Sequence, residues 1–256
     1  MATADGKLDY ESLMTSKPFK LVVGPDKKEF YMHSSLLSQQ SEPLNVLVNG
    51  HMKEAAQQEV EWSDVDVGTF VRFCQWAYSG NYTDPHPVVI PDESTDGQTV
   101  TIQVDDQSII EPFPTMAKSK KKGKKITTEP PGPFSLPEPN TSSEDYSGIM
   151  LCHAGLYVLG DRYNIALLRQ LASYKLHVTL QHFVMHPVRL DAIPKLVNYV
   201  WNNTMSKDKL RKLVSTYCAC IAEDLMKHFP TEFESLVEDI PEFASGLMAN
   251  IMPRLA

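Results

Sequence analysis

The chain has 256 residues, of which 42% are hydrophobic, and a formal net charge of −8 at pH 7. This length is enough for one or two domains with a sizeable core, and the negative charge argues against general nucleic-acid binding, because phosphate contacts need a positive surface. The sequence lacks an apolar run of the roughly 20 residues that a membrane helix needs, and residues 1–8 lack a signal-peptide apolar region. We therefore expect an intracellular protein, in the nucleus, the cytoplasm or both, that does not enter a membrane.

Residues 1–17 form a polar N-terminal segment with a few apolar side chains. Leu8, Tyr10, Leu13 and Met14 have the spacing of one amphipathic helical turn. Three alternatives follow: the segment frays, packs on its own domain, or packs on a second copy of the chain.

A β-hairpin is predicted next. Phe19–Val23 is an apolar, β-branched run, Gly24-Pro25-Asp26 favours a turn, and Glu29–His33 alternates polar and apolar residues. Ser34 or Ser35 can cap the helix that should begin after this second strand.

A short helical hairpin through Val48, a third strand and a long helix should follow. We expect Gly50 to end the hairpin in a left-handed conformation, Glu59–Trp62 to form the strand, and Asp66 to cap the long helix. The buried face of that helix is predicted from its apolar spacing to consist of Val67, Phe70, Val71, Cys74, Ala77 and Tyr78.

This order of elements, with these sequence motifs, resembles the BTB (POZ) domain. The matching pieces are Leu21-Val22-Val23-Gly24, Phe30-x-x-His33 with Leu36-Leu37, Ser41, and Tyr78-Ser79-Gly80-x-Tyr82. The resemblance implies an α+β fold with a small three-stranded sheet covered by helical hairpins. It also implies a structural role for His33, which has no second ligand at zinc spacing.

Residues 83–145 differ in composition from the rest. They hold ten of the eighteen prolines, with many Ser, Thr, Asp and Lys residues, so we expect a largely disordered insertion. Within it, Val100–Val104 alternates cleanly and has the pattern of an edge strand.

The insertion also carries a lysine run between residues 118 and 125. One hypothesis is a nuclear-import signal received in an acidic groove, and the alternative is a solubilising loop. Direct DNA binding is disfavoured because no Arg or aromatic residues are interleaved for base contacts. The import candidates are Lys118, Lys120, Lys121, Lys122, Lys124 and Lys125.

A second helical hairpin is predicted from Tyr146. The first helix should end at Gly160, and Asn164 can cap the second. The buried positions are expected at Ile149, Cys152, Leu156, Leu159, Ile165, Leu168, Leu171, Ala172 and Leu176. The phrase from Ala154 to Ile165 looks like the fungal branch of the BTB family, in which such a helix follows a long variable loop. The resemblance thus implies one BTB domain, 18–82 plus 146–176, interrupted by the insertion.

Residues 177–256 continue as amphipathic helices and form an all-helical C-terminal extension. The extension resembles the BACK-like region that follows many BTB domains. The apolar positions of its helices are Ile193, Leu196, Val197, Val200, Trp201, Leu210, Leu213, Val214, Tyr217, Ile221, Phe233, Leu236, Val237, Phe243, Leu247, Met248 and Ile251. His182 and His186 share a helix spacing but lack a catalytic HExxH pattern.

Enzyme motifs are missing. The sequence has no GxGxxG, GxxxxGK[ST] or GxSxG, and no Ser, His and Asp cluster at motif spacing. Cys74, Cys152, Cys218 and Cys220 form no CxxC pair and are expected to be reduced core residues. We therefore expect no catalytic residues, no cofactor and no metal site.

The resemblance implies a protein-interaction module, and two functional hypotheses follow. In one, the chain is a substrate adaptor of a cullin-3 ubiquitin ligase, because Met52-Lys53-Glu54 matches the hydrophobic-x-Glu motif that follows the helical hairpin in such adaptors. Met52 would enter an apolar pocket and Glu54 would make a rim contact, while Tyr82 is a further partner-binding candidate. In the other, the chain is a homo-oligomeric scaffold, for which a homodimer is one possibility, or a nuclear transcriptional co-regulator without a ligase role.

Overall fold

A computed structural model describes residues 10–90, 141, 143–184, 186 and 191–255, with only the helical backbone of 253–255. The predicted edge strand Val100–Val104 and residues 1–9 lie outside the described residues. The described chain divides into two compact units: 10–85 with 152–175, and the remaining described residues. These units do not test the predicted domain boundaries, which stay a prediction.

The described residues contain five short strands. They are β1 Pro18–Val23, β2 Lys28–His33, β3 Glu59–Trp62, β4 Val88–Val89 and β5 Glu144–Asp145. The helices are α1 Tyr10–Thr15, α2 Ser34–Gln39, α3 Glu42–Asn49, α4 Lys53–Gln57, α5 Val67–Ser79, α6 Ser147–Arg162, α7 Ala166–His182, α8 Ala192–Asn203, α9 Lys209–Cys220, α10 Ala222–His228, α11 Pro230–Asp239 and α12 Pro241–Leu255. None of the helices in these ranges combines the length and apolarity that crossing a bilayer demands.

The three predicted strands form one sheet in the order β2-β1-β3. Strand β1 pairs antiparallel with β2, with Phe19 opposite Met32, and parallel with β3, with Leu21 opposite Val60. Strand β1 is the central strand of this sheet, and alternate residues of a strand point to the same face. The fully buried residues of β1 are Phe19, Leu21 and Val23.

The predicted cap of helix α2 is wrong. The helix begins at Ser34 itself, after His33, and neither Ser34 nor Ser35 caps it. Ser35 instead lies within hydrogen-bond distance of the Ser12 carbonyl (3.2 Å) and of the Ser16 hydroxyl (3.1 Å). Helix α1 is thereby held against its own unit, as one of the alternatives for the N-terminal segment had it.

The cap of helix α5 is confirmed, but its predicted buried face is wrong in part. Asp66 Oδ2 accepts a hydrogen bond from the Thr69 amide at 2.8 Å. Val71 and Tyr78 are exposed, whereas Phe73 and Trp76 are buried. The helix is turned toward Trp62, whose ring centroid lies 6.0 Å from that of Phe73, so aromatic packing sets the buried face.

Two predicted helix boundaries in the second hairpin are also wrong. Helix α6 continues through Gly160 to Arg162, and Gly160 serves a close approach instead, because a Cβ there would lie 3.1 Å from the Arg169 amide nitrogen. Asn164 has a φ of 52° and its amide donates to the Asp161 carbonyl, so it terminates α6 rather than capping α7. The expected apolar residues of both helices are buried.

Helices α8 to α12 make the predicted helical C-terminal region. Helix α12 packs closely on α9, where a Cβ on Gly246 would meet the Ser215 hydroxyl at 2.8 Å. Arg211 donates to the Thr204 hydroxyl at 3.0 Å and contacts Glu242. Met248, one of the predicted apolar positions, is exposed.

Candidate functional site

The loop between α3 and α4 is fixed by its glycine. The Gly50 amide donates to the Val46 carbonyl at 2.8 Å, which closes α3. Gly50 has a φ of −76° and a ψ of −162°, so the expected left-handed conformation is wrong. The glycine is needed for another reason: a Cβ there would lie 2.3 Å from the Val46 carbonyl oxygen, and the loop would have to move.

Helix α4 is anchored on the far side of the loop. Ala55 is buried, and the Gln58 side chain donates to the carbonyls of Ala55 at 2.6 Å and Val48 at 3.4 Å. Gln58 itself ends α4 with a φ of 54°. The short loop is thus held between two ordered helix ends.

This arrangement presents Met52 to solvent. Met52 exposes 64% of its surface and precedes the first residue of α4, with an extended backbone at φ −84°. His51 and Lys53 are exposed, and Glu54 is half-buried. An exposed, unbranched thioether on a fixed backbone suits an apolar pocket of a partner.

Tyr82 is placed differently, and its prediction as a partner-binding residue is wrong. Its side chain is only 3% exposed. Its hydroxyl lies 2.9 Å from Nδ1 of His153, which is fully buried on α6. Tyr82 is therefore part of the core of the first unit.

A buried polar network surrounds Tyr82. Lys175 on α7 donates to the Tyr82 carbonyl at 2.5 Å and to Asp84 Oδ1 at 2.8 Å, and its Nζ lies 4.1 Å from the centre of the Tyr82 ring. Arg72 on α5 donates to the Thr83 carbonyl at 3.0 Å. The chain leaving α5 is therefore tied to α6 through His153, to α7 through Lys175 and back to α5 through Arg72, at the point where the predicted insertion begins.

The network keeps His153 neutral. Burial lowers the pKa of His153 to about 4, the charges of Lys175 and Arg72 add to this effect, and that of Asp84 opposes it. Burial also raises the pKa of Tyr82, so its hydroxyl retains a proton that it can donate to Nδ1. This donation favours the tautomer with the proton on Nε2, which lies 4.0 Å from Asp84 Oδ1.

The stability of the protein should accordingly depend on pH through His153. The folded state binds the imidazole proton less tightly than the unfolded chain does. The contribution of neutral His153 to the free energy of unfolding is therefore complete above pH 6.5 and is lost as pH falls toward about 4. The loss should be about 3 kcal/mol. Urea unfolding at several pH values measures it. His153→Gln should unfold with a shallower pH dependence over this interval, and an equal dependence in both proteins would contradict the assignment.

Two polar residues within largely apolar helices are the sequence signal for this network. His153 lies in the apolar stretch of α6, and Lys175 shares a face of α7 with the buried residues Leu171, Ala172 and Val178. Polar side chains at such positions require partners. Their partners are 71 and 93 residues away, so spacing alone did not reveal them.

His33 has a structural contact, as the resemblance implied. Its Nδ1 lies 2.8 Å from the Tyr78 hydroxyl, which joins the end of β2 to α5. Within the described ranges, no group of three or more His, Cys, Asp or Glu side chains is placed to hold a metal ion. The import candidates Lys118 to Lys125 lie outside the described residues, and their role stays a prediction.

Comparison with known proteins identifies the domain. Residues 18–109 match the family model of the BTB/POZ domain. No curated protein matches the chain. The matched range begins where β1 begins, and the inclusion of α6 and α7 in the same domain stays a prediction.

Proposed function

Because this chain contains a BTB/POZ domain, which is a protein–protein interaction module and not a catalytic family, we propose that it is a substrate adaptor of a cullin-3 ubiquitin ligase. In this proposal the loop from Gly50 to Glu54 contacts the cullin. Met52 enters an apolar pocket, and Glu54 contributes a polar contact at the rim.

The exposure of Met52 is the observation that supports the proposal most directly. A large apolar side chain at the centre of a polar loop, on a backbone fixed between two helices, has the features of an interface anchor. Preorganisation lowers the entropy lost on binding, because the loop does not need to become ordered. Val46 on α3 is also exposed and adds apolar surface to the same helix–loop element.

A pull-down of purified cullin-3 by the full chain tests this proposal. Retention of the cullin at low micromolar protein supports the adaptor, and loss of retention on Gly50→Ala would show that the loop geometry matters. No retention by the wild-type chain would overturn the proposal.

A second candidate function is a homodimeric scaffold, and helix α1 carries the observation in its favour. Leu13 is buried, whereas Tyr10 and Met14, four residues apart, are exposed. Tyr31 on β2 is exposed as well. In an isologous dimer the same patch of both copies lies in the interface, so these apolar side chains would be buried in each copy.

The double variant Tyr10→Glu with Met14→Glu should convert such a dimer to a monomer. Charged side chains in an apolar interface lose their hydration without gaining partners. Sedimentation equilibrium of wild type and variant measures the mass, and Glu11→Gln on the same helix is the matched control. A wild-type chain that sediments as a monomer would rule out the scaffold in this form.

A further inference from the structure

Helices α10 and α11 form an apolar groove with an acidic edge. Its volume is about 340 Å³, which lies within the range of roughly 300–1,000 Å³ that is common for binding sites. The lining residues are Met226, Pro230, Phe233, Glu234, Val237 and Glu238.

The two faces of the groove follow from helix periodicity. Helix α11 begins with Pro230 almost immediately after α10 ends, which brings Met226 near the first turns of α11. Phe233 and Val237 are four residues apart and form an apolar row. Glu234 and Glu238 form an acidic row beside it, since residues at this spacing lie on one side of a helix.

The surroundings of the groove are strongly acidic. Residues 222–242 contain seven carboxylates and a single lysine. Among the ion pairs of the described residues, only Glu242 of this set takes part, through Arg211. Glu234 and Glu238 are exposed, so their charge acts on whatever occupies the groove.

The lysine run of the same chain has the complementary chemistry. Residues 118–125 contain six lysines, with Met116 before them and Ile126 after them. Lysines can face the acidic row while the flanking apolar side chains contact Met226 and Phe233. This combination matches the groove in both charge and apolarity.

The stretch of chain between the lysine run and the next described residue is long enough for the run to reach the groove. Fifteen residues lie between Lys125 and Thr141, the next described residue. Such a stretch spans up to about 50 Å when extended. This reach exceeds the roughly 13 Å radius of gyration of a 100-residue domain several times over.

We propose that the groove between α10 and α11 binds the lysine run, residues 116–126, of its own chain. Binding would withhold the run from any acidic carrier groove, so that nuclear import would depend on release of the segment. The proposal does not depend on the cullin-adaptor function, because it uses neither Met52 nor its loop.

Zero-length cross-linking of the full chain with a carbodiimide tests the contact. We expect cross-links from Glu234 or Glu238 to lysines of the run, identified by mass spectrometry. A mixture of isotopically light and heavy chains separates links within a copy from links between copies. Links only between copies, or only to other carboxylates, would overturn the proposal.

Trypsin digestion gives an independent readout. The variant Glu234→Lys with Glu238→Lys should be cleaved in the run about tenfold faster than wild type at low salt, because cleavage follows the population of the released segment. The control variant Glu11→Lys with Glu42→Lys, which makes the same change in net charge at exposed positions outside the groove, should be cleaved like wild type.

Salt and charge exchange complete the test. Near 1 M salt the Debye length is about 3 Å, so wild type and the groove variant should be cleaved in the lysine run at the same rate. Replacing the six lysines of the run by Glu in the groove variant should restore binding with the charges exchanged, because the glutamates of the run then pair with the lysines introduced in the groove. Cross-links between groove and run would detect this binding. Equal cleavage of wild type and groove variant at low salt would overturn the proposal.

Discussion

Met52→Ala is expected to weaken cullin-3 binding at least about tenfold while changing the free energy of unfolding by less than about 0.5 kcal/mol. Its side chain is 64% exposed in the free protein, so truncation leaves no buried cavity. Central apolar anchors of interfaces typically carry about 2 kcal/mol or more of binding energy. Calorimetric titration measures the affinity, and thermal melting of the same samples measures stability.

A second exposed methionine supplies the control. Met205 lies between α8 and α9, outside the proposed loop, and Met205→Ala should bind the cullin like wild type. Equal weakening by both substitutions would point to a general effect of methionine loss. If Met52→Ala unfolds the protein, Met52 contributes to the core and the anchor role is wrong.

Asp84→Ala should destabilise the first unit by about 3 kcal/mol or more, because it removes the carboxylate that bonds a buried ammonium. The two partners are unequally buried: the Lys175 side chain is 3% exposed and that of Asp84 is 31% exposed. Lys175→Met should therefore cost less, since water can solvate the remaining carboxylate while the apolar stem is kept.

Tryptophan fluorescence can follow this unit alone. Trp62 and Trp76 lie in the first unit, so a Trp201→Phe background removes the signal of the other unit. Urea unfolding of the single and double variants in this background forms a double-mutant cycle. The double variant should be more stable than Asp84→Ala alone, and strictly additive losses would contradict the coupling.

Local patterns predicted most of the first unit. Strands β1 to β3 and the Asp66 cap follow from alternation and from short-range side-chain chemistry, which are properties of neighbouring residues. The exposed position of Met52 after α3 also agrees with its sequence context. These features need no knowledge of distant partners.

Features set by distant partners were predicted less well. The buried face of α5 depends on Trp62, which precedes the helix in another element, and Tyr82 depends on His153 and Lys175. Spacing within one helix does not report such contacts. Several side chains of α5 fit either face by hydropathy, and only packing selects between them.

Glycine and asparagine were assigned the wrong conformations for a related reason. Gly50 ends α3 without the expected left-handed conformation, and α6 continues through Gly160 where it was expected to end. Both glycines serve close approaches to backbone atoms. Asn164 adopts the positive φ instead. A missing side chain can serve either purpose, and the sequence alone does not distinguish them.

The pairing of β4 with β5 brings the two chain segments on either side of residues 91–140 next to each other, which suits this position to domain insertion. Val88 lies opposite Asp145 and Val89 opposite Glu144, and the Ile90 amide donates to the Ser143 carbonyl at 2.8 Å. Antiparallel neighbours of this kind hold their Cα atoms about 4.5–5.5 Å apart. A reporter domain whose own ends lie at a similar separation can replace residues 91–140, because exposed sites of this type tolerate inserted domains. The junction itself then keeps the two attachment points in place.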